Sequence, residues 1–251
     1  MTNLTKTQVN NLLTKLPLRS QAFINGEFVA AKSGDIFESI NPATGEFVAE
    51  ITHCTHEDGD KAVIAARMSF ESGVWSRSAP ENRKEILLKL ADLIRSNSDV
   101  LAVMESVDSG KTITDCHHEI TNEVVSFFEW YAELVDKVFG KVAPTGEDAL
   151  ALILKEAAGV VGLVLPWNFP LLMVALKMAP ALASGCSVIV KPAEQTSLTA
   201  LYLAELASEA GVPPGVINVT PGLGETAGQA IGRHPDIDTV SYTHLTLPTK
   251  A

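Results

Sequence analysis

The chain has 251 residues, of which 46% are hydrophobic and 20% charged, as in a folded globular protein of one large or two small domains. Thirty acidic residues against nineteen basic ones give a net charge of −11, which argues against a nucleic-acid partner. The first residues are too polar for a secretory signal, and the three cysteines follow no disulfide spacing, so we expect a cytoplasmic protein.

The first part of the chain predicts a small β region followed by helices. Residues 1–20 are interpreted as a loosely attached leader with a short helical turn. From residue 21, short alternating runs separated by turn signals such as Asn25-Gly26 predict an antiparallel meander at the edge of the fold, in which we see no chemistry. Helical spacing of apolar residues then predicts helices over His56–Ser72, from Pro80 through Ile94, over Asp99–Val107 and over Thr114–Val138.

The helix predicted at Thr114–Val138 invites two functional interpretations, and a structural one is favoured over each. Cys116, His117, His118 and Glu119 are adjacent, but neighbours in sequence point to different faces of a helix, so a surface helix is favoured over a metal site. The apolar residues that follow are expected to face the core rather than to form a cofactor box. They are Ile120, Val124, Phe127, Phe128, Trp130, Tyr131, Leu134 and Val138.

The second part of the chain opens with a hairpin and a crossover. Residues 140–155 are extended and predict a hairpin outside the main sheet, whose edge needs a partner. A strand over Val160–Leu165, a helix over Leu171–Ala183 and a strand over Ser187–Lys191 make a strand-helix-strand crossover. The alternative is a membrane helix over Ala157–Leu176, which we reject because prolines, an asparagine and β-branched residues interrupt it.

The remaining elements continue the alternation. A helix, a strand, a helix and a strand are predicted over Ser197–Ala210, Val216–Val219, Gly222–Arg233 and Ile237–Tyr242. The repeated order predicts an α/β fold with a Rossmann-like, doubly wound parallel sheet and right-handed crossovers. Ligands of such sheets bind at the carboxyl ends of the strands.

Candidate binding residues follow two of these strands. Asn168 and Trp167 lie between two prolines, where a rigid amide donor suits stabilisation of an oxyanion; the alternative is a turn asparagine. Lys191 and Glu194 can hydrogen-bond a ribose, and the acid would repel a 2′-phosphate, which favours NAD over NADP. The alternative here is a solvated charged turn.

A glycine-rich turn follows the third parallel strand. Gly222, Gly224 and Gly228 resemble the dinucleotide fingerprint, but the third glycine comes one residue late. A tight turn with close helix packing is the alternative, and the spacing alone does not separate the two.

Together these segments resemble the aldehyde dehydrogenase family over roughly Phe23 to Thr243. The resemblance is carried by FINGEF (23–28), PWNFPL (166–171), ALASGCSVIVKPAEQTSLTA (181–200) and GVPPGVINVTPGLGETAG (211–228). It implies the aldehyde dehydrogenase fold, with Asn168 as the oxyanion-hole asparagine and Lys191 and Glu194 on the adenosine ribose. It also implies a cofactor site lined by Leu165, Pro166, Trp167, Asn168, Gly224 and Gly228.

The resemblance also implies an activity and an assembly. Members of the family oxidise an aldehyde to a carboxylic acid with NAD, through attack by a cysteine thiolate, and assemble as homo-oligomers (dimers or tetramers) through a hairpin that corresponds to residues 140–158. SGKTI, EWYAELVDKVFGKVAP and PWNFPLLM look most like the branch that oxidises amine-derived aldehydes such as γ-glutamylaminobutyraldehyde or guanidinobutyraldehyde. We expect no metal, no membrane and no nucleic acid among the partners.

Two departures from the family pattern lead us to expect an inactive, truncated chain without the catalytic domain. His244–Ala251 fits nothing in the family and is interpreted as an aberrant tail. None of Cys54, Cys116 and Cys186 aligns with the nucleophile, and the general-base glutamate is absent. The alternatives are a non-catalytic NAD-binding or scaffold fragment and, more weakly, a different Rossmann-type dehydrogenase. The expected organisation is a leader (1–20), the N-terminal part of the cofactor domain (21–139), the oligomerisation hairpin (140–158), an NAD-binding part (159–243) and the tail (244–251).

Overall fold

The structure, a computed structural model, describes residues 4–243. Within them the strands are β1 (Ala22–Ile24), β2 (Glu27–Val29), β3 (Ile36–Ile40), β4 (Phe47–Thr52), β5 (Lys141–Ala143), β6 (Ala151–Ile153), β7 (Val160–Val164), β8 (Ser187–Lys191), β9 (Ile217–Val219) and β10 (Thr239–Tyr242). The helices are α1 (Lys6–Leu13), α2 (His56–Ser72), α3 (Pro80–Ser96), α4 (Ser98–Ser109), α5 (Ile113–Glu119), α6 (Val125–Leu134), α7 (Pro170–Ala183), α8 (Leu198–Ala210) and α9 (Gln229–Arg233). The aberrant tail that the sequence predicts lies outside the described residues.

The centre of the fold is a six-stranded sheet in the order β10-β7-β8-β9-β1-β2. Strands β10, β7, β8 and β9 are parallel, and β1 and β2 extend the sheet in the antiparallel sense. The predicted doubly wound α/β fold is therefore confirmed, with a mixed rather than a wholly parallel sheet.

Helices cover the sheet on both faces, as side-chain alternation along the strands requires. Val161, Leu163 and Val188 belong to the larger core, which they share with α7 and α8. Val160 and Ile189 point the other way, into a smaller core with α2 and α9. The buried, β-branched character of β7 and β8 follows from this double coverage.

A glycine inside β7 allows one of these helices to approach closely. A Cβ atom on Gly162 would overlap the Cγ2 atom of Ile231 in α9. The missing side chain therefore lets α9 pack directly on the strand.

The predicted N-terminal meander is in fact two separate hairpins. Hairpin β1–β2 turns at Asn25 and Gly26, both with positive φ, and joins the main sheet because Phe23 pairs with Val219 of β9. Hairpin β3–β4 forms a two-stranded sheet of its own. The second hairpin also lines the cleft of the candidate site described below.

Helices α3 to α6 form a layer against α7 and α8. The single helix predicted over residues 114–138 is interrupted by a π-helical turn at Ile120–Val124 and ends at Leu134 in a 3₁₀ turn. Phe128 is buried as predicted, but Trp130 is 68% exposed and Val138 is 55% exposed. Trp130 lies two residues after Phe128 and hence on the opposite helix face, whereas Val138 follows the end of the helix.

Strands β5 and β6 pair only with each other, outside the main sheet, as the sequence predicts. Most of the large side chains of this hairpin and the segment before it are exposed. They are Val138, Phe139, Val142, Leu150, Leu152, Ile153 and Leu154. Between residues 4 and 243 we find no helix whose length and apolar character would let it cross a membrane.

The leader is attached more firmly than the sequence suggests. Helix α1 buries no residue, but Leu16 and Leu18 pack against the main core. The guanidinium of Arg19 forms a two-pronged ion pair with the Glu205 carboxylate on α8. The segment therefore docks on the domain from Leu16 onward.

Candidate functional site

The strand order reverses direction at β7, which lies between β8 on one side and β10 on the other. Helices α7 and α8 pack in the larger core, while the connection from β9 to β10 passes through α9 on the opposite face. The carboxyl end of β7 is therefore a topological switch point, where open α/β sheets bind ligands. The Leu165 N–H donates to the Lys191 carbonyl at 3.1 Å, which places the two strand ends side by side.

The turn after β7 presents its polar and aromatic side chains outward. Leu165 and Pro166 are buried, whereas Trp167 is 49% exposed. Asn168 is half-buried, and its carboxamide has no hydrogen-bond partner within residues 4–243. Pro170 then begins α7, since its fixed φ suits the first helical turn. The turn thus holds a free amide donor on a backbone restricted by two prolines.

An ion pair lies at the end of β8. The ammonium of Lys191, only 3% exposed, donates to a Glu194 carboxylate oxygen at 2.7 Å. Burial alone would raise the pKa of Glu194, but the hydrogen bond from Lys191 and its positive charge outweigh that effect and lower it. Glu194 is therefore a carboxylate at neutral pH, and Lys191 retains N–H donors for a further acceptor.

The glycine-rich turn after β9 has an unusual geometry. Gly222 has φ of 157°, and a Cβ there would lie 2.8 Å from the Cys54 carbonyl oxygen. Gly224–Gly228 forms a π-helical turn, closed by a bond from the Gly228 N–H to the Leu223 carbonyl at 3.2 Å. The wider π turn contains one residue more than an α-helical turn, which explains why the third glycine comes one position late. A Cβ on Gly224 would meet open space, so the backbone there is accessible.

A cleft of about 370 Å³ joins three of these segments. Trp167, Glu194 and Leu223 line it on one side, and residues 37–40 of β3 with Asp108 of α4 on the other. Among the described residues, Trp167 and Glu194 are the predicted site residues in its lining; the others do not line it, namely Leu165, Pro166, Asn168, Lys191, Gly224 and Gly228. The structure thus brings the turn after β7, the end of β8 and the start of the glycine turn together.

Sequence reasoning missed two buried acids on α4 that hold the starts of both crossover helices. Glu105, 1% exposed, accepts the Leu171 N–H at the start of α7 at 3.1 Å. Asp108, 2% exposed, accepts the Leu198 N–H at the start of α8 at 2.9 Å and the Ser39 hydroxyl at 2.7 Å. Burial raises the pKa of Glu105 to about 7 and that of Asp108 to about 6. Their spacing of three residues places both on one face of α4, which is the only sequence signal for them.

Three further side chains brace the site without having been predicted. Lys111 forms an ion pair with Glu119, and its ammonium lies 4.3 Å from the centre of the Phe169 ring. Lys177 of α7 donates to the Ser241 carbonyl of β10 at 3.1 Å, and burial lowers its pKa. His53 lies 3.1 Å from the Thr226 hydroxyl in the glycine turn. These contacts join elements distant in sequence, so no local pattern reveals them.

None of the three cysteines is placed as a nucleophile. Cys54, Cys116 and Cys186 are free thiols and all are buried. Burial raises the pKa of Cys54 and of Cys116 to about 12, so neither is a thiolate at neutral pH. Near Cys116, the His117 ring turns outward to Asp99 at 3.3 Å, and the described residues hold no group of three metal-binding side chains.

Comparison with curated proteins yields close relatives. The chain is 54% identical over 231 residues to aminoacetaldehyde dehydrogenase of Pseudomonas aeruginosa, covering 92% of this chain and 47% of the relative. It is 46% identical over 231 residues to the NADP/NAD-dependent aldehyde dehydrogenase PuuC of Escherichia coli, again covering 92% and 47%. The chain thus spans about half the length of the curated relatives it matches.

Solved structures agree with the sequence relatives. P. syringae indole-3-acetaldehyde dehydrogenase in complex with NAD⁺ superposes with a TM-score of 0.93 at 42% identity, covering 95% of this chain and 48% of that one. γ-Glutamyl-γ-aminobutyraldehyde dehydrogenase of Burkholderia cenocepacia superposes with a TM-score of 0.92 at 41% identity, covering 94% and 48%. The profile of the aldehyde dehydrogenase family matches residues 28–244. The resemblance stated from the motifs is thereby confirmed, and the chain belongs to the aldehyde dehydrogenase family.

Proposed function

We propose that this chain supplies the NAD site and the oxyanion-stabilising amide of an enzyme that oxidises an aldehyde to a carboxylic acid. The observation that carries the proposal is the buried Lys191 paired with the ionised Glu194 at the end of β8, beside the switch-point turn. A lysine donor and a carboxylate acceptor so placed suit the two hydroxyl groups of a ribose.

The residues fit a dinucleotide in three respects. Lys191 and Glu194 would hold the adenosine ribose, and the open backbone at Gly224 leaves space for a phosphate group. Leu165, Pro166, Trp167 and Gly228 would line the remainder of the site. Bound NAD supplies the hydride acceptor. The unpartnered carboxamide of Asn168 would donate a hydrogen bond to the substrate oxygen as negative charge develops there.

The charge of Glu194 supports a preference for NAD over NADP. A carboxylate on the ribose hydroxyls repels a 2′-phosphate, although the E. coli relative is described as using both cofactors. Calorimetric titrations with NAD and NADP test this preference. We expect wild type to bind NAD more tightly, and Glu194→Gln to narrow the difference because the repulsion is removed. Glu225→Gln, an exposed acid in the glycine turn, is the matched control. Equal affinities in wild type would contradict the preference.

The burial of the cysteines supports the proposal that this chain binds NAD without oxidising an aldehyde. A thiol whose pKa is about 12 cannot supply the attacking thiolate at neutral pH. We therefore expect NAD to bind and no NADH absorbance to develop when aminoacetaldehyde is added. An aldehyde-dependent rise in NADH absorbance from the purified chain would refute the proposal that it is inactive. Absence of NAD binding would refute the proposed cofactor site.

Substrate class and assembly form the finer part of the proposal. The relatives named for aminoacetaldehyde and γ-glutamyl-γ-aminobutyraldehyde support an amine-derived aldehyde as the substrate of the whole enzyme. The exposed apolar side chains of β5 and β6 support assembly as a homo-oligomer through this hairpin, and we propose the cytoplasm as its location. Sedimentation velocity tests the surface: Leu152→Lys should shift the chain toward monomer. Ile64→Lys, equally apolar and exposed but on α2, should leave the distribution unchanged.

A further inference from the structure

The backbone of the turn that carries Asn168 is held from behind by charged groups. Glu105 accepts the N–H of Leu171, the second residue of α7. The ammonium of Lys111 lies over the Phe169 ring at 4.3 Å and pairs with Glu119. These contacts reach the two positions that flank Pro170, immediately after Asn168.

Besides burial of its prolines, the turn is held by the Met173 N–H, which donates to the Phe169 carbonyl at 2.9 Å. Phe169 has φ of −138° and ψ of 67°, outside both the helical and the extended regions, and its ring is 38% exposed. The Asn168 carboxamide has no partner among residues 4–243, so its neighbours determine where it points. Pro170 fixes its own φ and disfavours the helical region at Phe169, but neither proline restricts ψ of Asn168.

The charges of this cluster are largely enclosed, and Lys111 pairs with Glu119 inside it. Glu105, Lys111 and Glu119 lie together, with Asp108 one turn along α4 and Cys116 close by. One oxygen of Glu105 has no partner and is buried. Burying an acid and an ammonium is costly unless ion pairs and hydrogen bonds offset the loss of solvation. Beyond the pair with Glu119, the side chains of Glu105 and Lys111 contact the Leu171 N–H and the Phe169 ring.

We propose that Glu105 and Lys111 are positioning residues that hold the Trp167–Asn168 turn in the conformation that binds NAD. The proposal rests on the proposed NAD site. Glu105 acts as an acceptor for the Leu171 N–H, and Lys111 holds the Phe169 ring. Neither residue touches the reacting atoms; each acts through the backbone between Pro166 and Pro170.

The test compares Glu105→Ala, which removes the acceptor, with Glu105→Gln, which keeps an acceptor oxygen. Two quantities are measured on the full chain: hydrogen exchange of the amides from Trp167 to Leu171, and the dissociation constant for NAD by calorimetry. Removing a charge-assisted acceptor from a buried amide should raise Leu171 exchange and weaken NAD binding by about tenfold or more. Glu105→Gln should stay within about threefold of wild type because its amide oxygen can still accept the Leu171 N–H.

Lys111→Met provides a second, independent variant. We expect it to raise exchange at Leu171, whose N–H is hydrogen-bonded to Glu105, and to weaken NAD binding by about threefold to tenfold, since the cation over the Phe169 ring is lost. Glu123→Ala, an exposed acid on the π turn, is the control and should change neither quantity.

The outcomes separate this proposal from the proposed function. Unchanged exchange and NAD affinity in folded Glu105→Ala would overturn the proposal, as would a Glu105→Gln variant that behaves like the alanine. Where Glu105→Ala fails to fold, Lys111→Met decides by the same criteria. Failure of wild type to bind NAD would overturn the proposed function. The exchange measurement would still show whether Glu105 and Lys111 hold the turn in place.

Discussion

The buried carboxyl of Glu105 should make the stability of this protein depend on pH in an unusual direction. Burial raises its pKa from 4.5 to about 7, against the opposing effects of the Lys111 charge and the Leu171 N–H. Since the folded state binds this proton more tightly than the unfolded state, the contribution is fully present below about pH 4.5 and is lost as the pH rises through about 7.

The magnitude follows from the difference between the two pKa values. A difference of about 2.5 pH units corresponds to about 3 kcal/mol, most of which is lost between about pH 5 and about pH 8. Glu105→Gln cannot release a proton, so its free energy of unfolding should lack this component. Relative to wild type, the free energy of unfolding of the variant should therefore rise by about 2 to 3 kcal/mol across that interval.

Urea denaturation of both proteins at several pH values measures this difference directly. Comparing wild type with the variant cancels the other titrating groups, including Glu133 and Asp136, whose pKa values are lowered and whose effects run in the opposite direction. Parallel pH profiles for the two proteins would refute the assignment of a raised pKa to Glu105. A variant that loses stability relative to wild type as the pH rises would show that the sign is wrong.

Three further predictions concern the packing around the site. Gly162→Ala should lower the free energy of unfolding by about 1 to 3 kcal/mol, because the new methyl group overlaps Ile231. Gly232→Ala is the control and should not lower it, since a methyl group there would lie in open space. Chemical denaturation measures both variants. Asp238→Ala should lower the free energy of unfolding by about 1 to 3 kcal/mol in the same assay, because the Asp238 carboxylate accepts hydrogen bonds from the Val160 N–H and the Arg67 guanidinium. Asp236→Ala is the control, since the Asp236 carboxylate makes neither of these contacts. Equal effects of the two substitutions would contradict the reasoning. Gly222→Ala should weaken NAD binding because its Cβ would press on the Cys54 carbonyl and distort the glycine turn; calorimetry that shows unchanged affinity would count against a role for this turn.

Local patterns in the sequence predict much of the fold. Helix α2 has the predicted bounds, and Gly185 and Gly211 take the left-handed conformation that ends a helix. The crossover from β7 through α7 to β8 lies where its β-branched strands and its prolines indicate. Each of these features depends on residues that are close in sequence.

The features that the sequence did not predict depend on distant residues. Glu105 bonds to an amide 66 positions away, and Asp108 to one 90 positions away. The place of the β3–β4 hairpin on the cleft was not predicted either, because the cleft joins segments that are distant in sequence. The π turn at Ile120–Val124 leaves no composition signal, since its residues would be equally suited to a regular helix. Of the predicted site residues, Trp167 and Glu194 line the cleft, whereas the buried acids behind the turn were not predicted.

The pairing of β1 with β9 also determines when this protein can finish folding during synthesis. Phe23 leaves the ribosome well before its partner Val219, which lies far along the chain. Until then the inner edge of the β1–β2 hairpin has unpaired backbone groups, which can associate with strands of neighbouring nascent chains. Closure of the sheet is thus a late, long-range step, and slow translation would prolong the interval in which this edge needs protection by a chaperone.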